Sequence, residues 1–147
     1  TTKRTCVEPL PLRQLLIGVA GTGKSFVMKC NRIFYRLLYG EMSSERSLAP
    51  TGKSAGGIGG VTLDRGLSFT RTHAVFKEIN ANAINFKKKP FEHTNLLSID
   101  EQGMIGAQMY GHIFQRCNEL FNKKCRSVDT KDPTYLGGIE AFCLAKK

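Results

Sequence analysis

The chain has 147 residues, and 22 lysines and arginines against 12 aspartates and glutamates give it a formal net charge of +10. Its 41% hydrophobic content is typical of one globular domain and argues against intrinsic disorder. No apolar run reaches the roughly 18 residues of a membrane-spanning helix, and the N-terminus has no signal-peptide pattern. The five cysteines lack the spacing of a disulfide framework or a zinc site, which favours a reducing, intracellular compartment.

Apolar patterns predict strands and helices that alternate along the chain. Strands are predicted at 15–17, 47–49, 95–99 and 137–144, and helices at 26–38, 75–86 and 105–120. Such alternation indicates an α/β domain with a mainly parallel sheet and helices on both of its faces. In this class the ligand crevice lies outside the carboxyl ends of the strands.

A glycine-rich segment joins the first predicted strand to the first predicted helix. It matches G-x-x-x-x-G-K-[ST] without a gap, through Gly18, Val19, Ala20, Gly21, Thr22, Gly23, Lys24 and Ser25. The glycines allow backbone N–H groups to converge on phosphate oxygens, Lys24 is expected to reach the β and γ phosphates, and the Ser25 hydroxyl is expected to hold Mg²⁺. The segment therefore predicts a P-loop nucleotide site.

Two adjacent carboxylates follow the predicted strand at 95–99. Asp100 stands where a P-loop enzyme meets the metal that bridges the β and γ phosphates, so we expect it to bind Mg²⁺. Glu101 is one residue further on and is the candidate general base for the attacking water. Lys24 and Glu101 are therefore the predicted catalytic residues.

The nucleotide is expected to be ATP. A guanine-specific Asn-Lys-x-Asp signature is approached only at Asn122-Lys123-Lys124-Cys125, which lacks the closing aspartate. These motifs leave a P-loop small-molecule kinase open, because such an enzyme also needs only a phosphate cradle, Mg²⁺ and an acceptor pocket.

Further blocks carry a family resemblance. In chain order the sequence contains GVAGTGKS (18–25), LAPTGKSA (48–55), GGVTL (59–63), LLSIDEQGM (96–104) and YLGGI (135–139). This ordered series, over roughly residues 12–140, resembles the Pif (petite integration frequency) family of ATP-dependent DNA helicases of superfamily one. The resemblance implies a RecA-like three-layer P-loop NTPase domain, here incomplete, with 1–13 as a lead-in segment and 14–147 as the partial ATPase domain.

The resemblance also implies a nucleic-acid contact. The second block corresponds to the family's motif that touches the backbone of single-stranded DNA, which assigns Thr51, Gly52 and Lys53 as DNA-binding residues. A hydroxyl, a glycine and a cation at one strand end are suited to phosphates rather than to bases. The chain departs from the family pattern at Asp64, where a histidine is usual, and at Gly103, where a serine is usual.

The expected function is that of an ATP-dependent DNA helicase, represented by an N-terminal fragment that hydrolyses ATP weakly or not at all by itself. Single-stranded and duplex DNA, and a second RecA-like domain in the full-length protein, are the expected partners. The family further implies roles in DNA repair, recombination and telomere maintenance, in the nucleus or alternatively the mitochondrion. The main alternative is a nucleotide- and DNA-binding module without turnover, and the small-molecule kinase is the other.

Overall fold

The computed structural model describes residues 11–69, 75–121 and 140–146. The strands are β1 (Arg13–Gly18), β2 (Glu45–Ala49), β3 (Val61–Thr62), β4 (Leu96–Ile99) and β5 (Glu140–Lys146). The helices are α1 (Lys24–Tyr39), α2 (Gly52–Gly57), α3 (Leu63–Leu67), α4 (Ile84–Lys88) and α5 (Ala107–Phe121). None of the helices in these ranges is long and apolar enough to cross a membrane.

The strands form one five-stranded sheet in the order β1-β5-β4-β2-β3. Every neighbouring pair is parallel. The predicted parallel α/β fold is therefore confirmed.

Helices cover both faces of this sheet because side chains along each strand alternate between them. On β4, Leu97 and Ile99 face a core that includes residues of α3 and α5. Leu96 faces the opposite core, in which Met28 of α1 and Ile58 at the end of α2 are buried. The sheet is thus the middle of three layers.

The best local predictions concern β1 and α1. Helix α1 begins directly after the glycine-rich loop and ends at Gly40, whose φ of 68° is the left-handed conformation that glycine adopts without a Cβ penalty. The third and fourth predicted strands correspond to β4 and β5, and the third predicted helix corresponds to α5. Residues 137–139 of the fourth predicted strand and most of the 1–13 lead-in lie outside the described residues.

The helix predicted at 75–86 is wrong, because α4 begins only at Ile84. Tertiary contacts explain the difference. The guanidinium of Arg116 on α5 lies 4.8 Å from the centroid of the Phe76 ring and donates a hydrogen bond of 2.7 Å to the carbonyl oxygen of Lys77. Asn82 N–H bonds to the Asn80 side chain at 3.0 Å in a local turn that competes with a helix.

The sequence patterns also missed two short helices, α2 and α3. Each begins after a threonine whose hydroxyl accepts a hydrogen bond from a backbone N–H three residues later, at Thr51 and at Thr62. Both are side-chain N-caps, which satisfy donors that a helix start leaves without partners. The helices are too short for a recognisable apolar period.

Candidate functional site

The predicted site segments follow β1, β2 and β4, and they meet at one edge of the sheet because the strands are parallel. Strand β5 lies between β1 and β4, and its Cys143 is level with Leu15 on one side and Ile99 on the other. At about 4.8 Å per strand, β1 and β4 are about 10 Å apart. On the far side of β4, Asp100 N–H bonds to Leu48 O at 2.9 Å, which holds the end of β4 against β2.

The glycine-rich loop turns at two glycines that have positive φ values. Gly21 and Gly23 have φ values of 81° and 86°, and an added Cβ at either would meet no atom within 4 Å. At Gly18 an added Cβ would lie 2.9 Å from the Thr22 hydroxyl, so the loop closes tightly on the end of β1. The space beside Gly21 and Gly23 is therefore unfilled, and it is their positive φ values that favour glycine at these two positions.

Lys24 is folded back over this loop. Its ammonium donates to the carbonyl oxygens of Gly18, at 2.8 Å, and Val19, at 2.6 Å. The Val19 carbonyl also accepts from the Thr22 hydroxyl at 2.8 Å. The Lys24 ammonium is therefore held against the backbone of the loop.

The predicted metal ligands are hard oxygen donors at the same edge. Ser25 is exposed in the first turn of α1, and Asp100 is partly exposed. One Asp100 carboxylate oxygen accepts from the backbone N–H of Glu101 at 2.8 Å, which orients the carboxylate. Hydroxyl and carboxylate oxygens are ligands that Mg²⁺ accepts, so these residues fit the ion.

Glu101 has an unusual backbone. Its φ of 53° and ψ of 40° are left-handed values, which cost a residue with a Cβ about 1–2 kcal/mol. The chain turns sharply there, and Met104 N–H returns to the Glu101 carbonyl at 2.9 Å. Strain of this kind is concentrated at functional sites. Because of the left-handed turn at Glu101, the chain changes direction directly after Asp100.

The predicted DNA block follows β2, the neighbour of β4 in the sheet, whereas the glycine-rich loop follows β1. Thr51 caps α2, because its hydroxyl accepts from Ser54 N at 3.2 Å and lies 2.9 Å from the Ser54 hydroxyl. Gly52 and Lys53 are exposed in the first turn of α2. The Thr51 hydroxyl thus has a structural partner, whereas Lys53 is exposed.

The aspartate that departs from the family pattern lies next to this block. Asp64 is exposed in the first turn of α3, where a negative charge is favourable to the helix dipole. It borders a cavity of about 270 Å³ that Pro50, Met104 and Met109 also line. The substitution at Asp64 is therefore compatible with the fold of α3.

Sequence patterns missed a buried ion pair behind the site, between Arg32 of α1 and Glu45 of β2. The signal was present but weak: Glu45 and Ser47 alternate along a strand with buried neighbours, and a buried carboxylate requires a cation. No pattern in the sequence assigns Arg32 as that cation.

Two cysteines are poor nucleophiles, Cys117, which is buried, and Cys143, which is partly buried. Burial raises the pKa of the Cys117 thiol to about 12, against a smaller lowering effect of Arg116, and it raises the pKa of the Cys143 thiol to about 11. A thiolate is the reactive form. Neither thiol is therefore available for covalent catalysis at neutral pH.

Comparisons with known proteins identify the family and the fold of the domain. The model of the AAA domain family matches residues 6–128, and no curated protein sequence matches the chain. A structure of the Pif1 helicase from Candida albicans is 25% identical, with 92% of this chain and 28% of that chain covered at a TM-score of 0.65. The Pif1 helicase from Bacteroides in complex with ADP-AlF3 and ssDNA is 20% identical, with 93% and 28% covered at a TM-score of 0.65.

A third solved structure, of forked dsDNA being unwound by two coordinating Pif1 helicases, is 20% identical, with 92% of this chain and 29% of that chain covered at a TM-score of 0.68. The chain thus spans less than a third of the length of these helicase structures. Its P-loop α/β fold is the one they share over that part. The chain belongs to the AAA domain family, with the fold of the corresponding portion of the Pif1 helicases.

Proposed function

We propose that this chain is the ATP-binding portion of an ATP-dependent DNA helicase. The observation that carries the proposal is the arrangement at one sheet edge: the glycine-rich loop with Lys24 bonded to it, the Asp100-Glu101 pair after β4 with only β5 between β4 and β1, and Lys53 after β2, the next strand. The similar structures bound to ADP-AlF3 and ssDNA support both ligand classes.

The proposed chemistry is phosphoryl transfer from ATP to water. Lys24 and the loop amides neutralise charge on the phosphates, and Ser25 and Asp100 hold Mg²⁺. Glu101 positions the attacking water and accepts its proton. Bound Mg²⁺ would neutralise negative charge on the phosphates. Hydrolysis in the full-length protein would drive movement along one DNA strand and separation of the duplex.

We expect the 147-residue chain alone to bind ATP but to turn it over very slowly. An arginine supplied from elsewhere accelerates such reactions about 10³–10⁵-fold, and we assign that role to a second RecA-like domain of the full-length protein. A steady-state ATPase assay tests this expectation. Turnover near 1–100 per second by the chain alone, the range typical of complete phosphoryl-transfer enzymes, would contradict it.

Lys53 provides the sharper test of DNA binding. Thr51→Ala would also remove a helix cap, whereas Lys53→Ala removes only an exposed cation. We expect weak binding of single-stranded DNA without sequence preference, with log affinity falling as log salt rises. Lys53→Ala should make that slope shallower by about 0.7, the value for one neutralised phosphate on a single strand. Lys29→Ala removes an exposed lysine of α1 and is the matched control.

An unchanged slope in Lys53→Ala, with the same affinity as the wild type, would remove the second block from the DNA interface. Phosphate-release assays separate the alternatives. A module without turnover would bind both ligands and release no phosphate even with the full-length protein's other domain added. A small-molecule kinase would be stimulated by a small acceptor and not by DNA. As part of the helicase proposal, we place the protein in the nucleus, with the mitochondrion as the alternative.

A further inference from the structure

Arg32 joins α1, which follows the proposed nucleotide loop, to β2 and to α2, which precede and contain the proposed DNA block. Its Nε donates to a carboxylate oxygen of Glu45 at 2.9 Å, and its Nη2 donates to the Ser47 hydroxyl at 2.5 Å and to the Ile58 carbonyl at 2.8 Å. Glu45 and Ser47 belong to β2, and Ile58 ends α2. One side chain of α1 is therefore bonded to the strand before the predicted DNA block and to the helix that contains it.

The hydrogen-bond network around Arg32 is largely buried, and both oxygens of its carboxylate partner are hydrogen-bonded. The Glu45 side chain is 0% exposed and the Arg32 side chain 16% exposed. The other Glu45 oxygen accepts from the Ser47 hydroxyl at 2.6 Å, so the carboxylate has a donor on each oxygen. Charge-assisted bonds of this kind are among the strong hydrogen bonds in proteins, and they fix relative positions better than apolar contacts do.

Two glycines in the connection after α2 leave room for the Arg32 guanidinium and for β2. Gly59 has a φ of 62°, and a Cβ added there would lie 3.1 Å from Nη1 of Arg32. A Cβ added at Gly60 would lie 2.3 Å from the Ser47 carbonyl oxygen. The Gly59-Gly60 pair therefore allows the α2–β3 connection to approach both β2 and the guanidinium.

Arg32 is also aligned with the nucleotide site along α1. Lys24, Met28 and Arg32 are spaced four residues apart and so lie on one face of the helix. Met28 is 1% exposed and packs in the same apolar cluster as Ala55 and Ile58 of the α2 segment. This packing and the Arg32 bonds therefore connect the helix that follows the nucleotide loop to α2.

We infer that Arg32 is a positioning residue that couples the nucleotide loop to the DNA block, so that occupancy of one changes the affinity of the other. The inference rests on the proposed function, since it needs both ligands to bind. Coupling between two sites is reciprocal in binding free energy and commonly amounts to about 5–150-fold in affinity. Arg32 touches neither predicted ligand position, and its effect is exerted through Glu45, Ser47 and the end of α2.

The test is a set of four affinities for the 147-residue chain. The affinity for a Mg²⁺-bound, non-hydrolysable ATP analogue is measured with and without saturating oligothymidine, and the affinity for oligothymidine is measured with and without the analogue. We expect each wild-type ratio to be about fivefold or more, and the two ratios to be equal. Arg32→Lys keeps the charge but lacks the planar fork that reaches three acceptors, and its ratio should fall below about twofold.

A double variant and a control variant distinguish a loss of coupling from a failure to fold. The double variant Arg32→Met with Glu45→Gln removes both buried charges together, so no carboxylate is left without a cation, and it should also lose the coupling. Arg36→Lys is the matched control, because Arg36 is on the same helix one turn further and donates to the Met42 carbonyl rather than to β2 or α2. Its coupling should equal that of the wild type.

The outcomes separate the inference from the proposed function. Loss of coupling in both Arg32 variants, with each single-ligand affinity within about threefold of the wild type, supports the inference. Coupling that persists in the folded variants overturns it, as does a wild-type protein that binds both ligands independently, and either result leaves the proposed function intact. A wild-type protein that binds neither ligand overturns the proposed function and the inference with it.

Discussion

Replacing Lys24 with alanine perturbs the proposed nucleotide site at its central cation. In the ligand-free loop the Lys24 ammonium already donates to two carbonyl oxygens, of Gly18 and Val19. An ammonium has three donors, so one remains for a phosphate without breaking the existing bonds. The side chain therefore needs no large rearrangement to contact ATP.

The size of the effect follows from this count. The third donor makes one new charge-assisted hydrogen bond, worth about 1.5–3 kcal/mol. The other two donors keep their carbonyl partners and add nothing to binding. Lys24→Ala should thus weaken binding of Mg²⁺-ATP by about 10- to 150-fold, since each tenfold change corresponds to about 1.4 kcal/mol. The loss of the two internal bonds should lower the free energy of unfolding by at most about 2 kcal/mol.

Isothermal titration calorimetry with Mg²⁺-ATP measures the first quantity, and urea denaturation measures the second. Lys29→Ala is the control for a general loss of positive charge, because Lys29 is exposed on the same helix outside the loop. We expect its ATP affinity to stay within about twofold of the wild type. A folded Lys24→Ala protein that binds ATP as tightly as the Lys29→Ala protein would refute the assignment of the loop.

Three further predictions concern the metal, the thiols and the backbone. Asp100→Ala should weaken Mg²⁺-nucleotide binding in calorimetry, whereas Glu101→Gln should retain binding and suppress phosphate release; equal losses of binding would refute the division of roles. Since burial raises the pKa of Cys117 to about 12, the stability contributed by its neutral thiol is complete below the unfolded pKa near 8.5 and is lost as pH rises towards 12. Between pH 8 and 10 the wild type should therefore lose about 2 kcal/mol more unfolding free energy than Cys117→Ala in urea titrations, and parallel pH profiles would contradict this. Gly60→Ala places a Cβ 2.3 Å from a backbone oxygen of β2 and should cost about 1–3 kcal/mol, while Gly56→Ala, with nothing within 4 Å, should be neutral or stabilising in the same denaturation assay.

The local parts of this protein can be read from its sequence. The strand around Leu15, the glycine-rich loop and the helix that Gly40 ends are each specified by residues within a few positions of one another, through apolar spacing and glycine geometry. The same holds for the placement of Asp100 and Glu101 after a buried strand. The assignment of roles to these residues remains a prediction.

Tertiary structure decided what depends on residues distant in the chain. The apolar spacing at 75–86 predicts a helix, yet Arg116 holds the Lys77 carbonyl from 39 residues away, and such a contact leaves no local trace. The insertion of β5 between β1 and β4 sets the distance between loop and carboxylates, because strand order is fixed by packing of the whole sheet rather than by any one strand. The pairing of Arg32 with Glu45 is likewise decided by which buried groups meet once the helices cover the sheet.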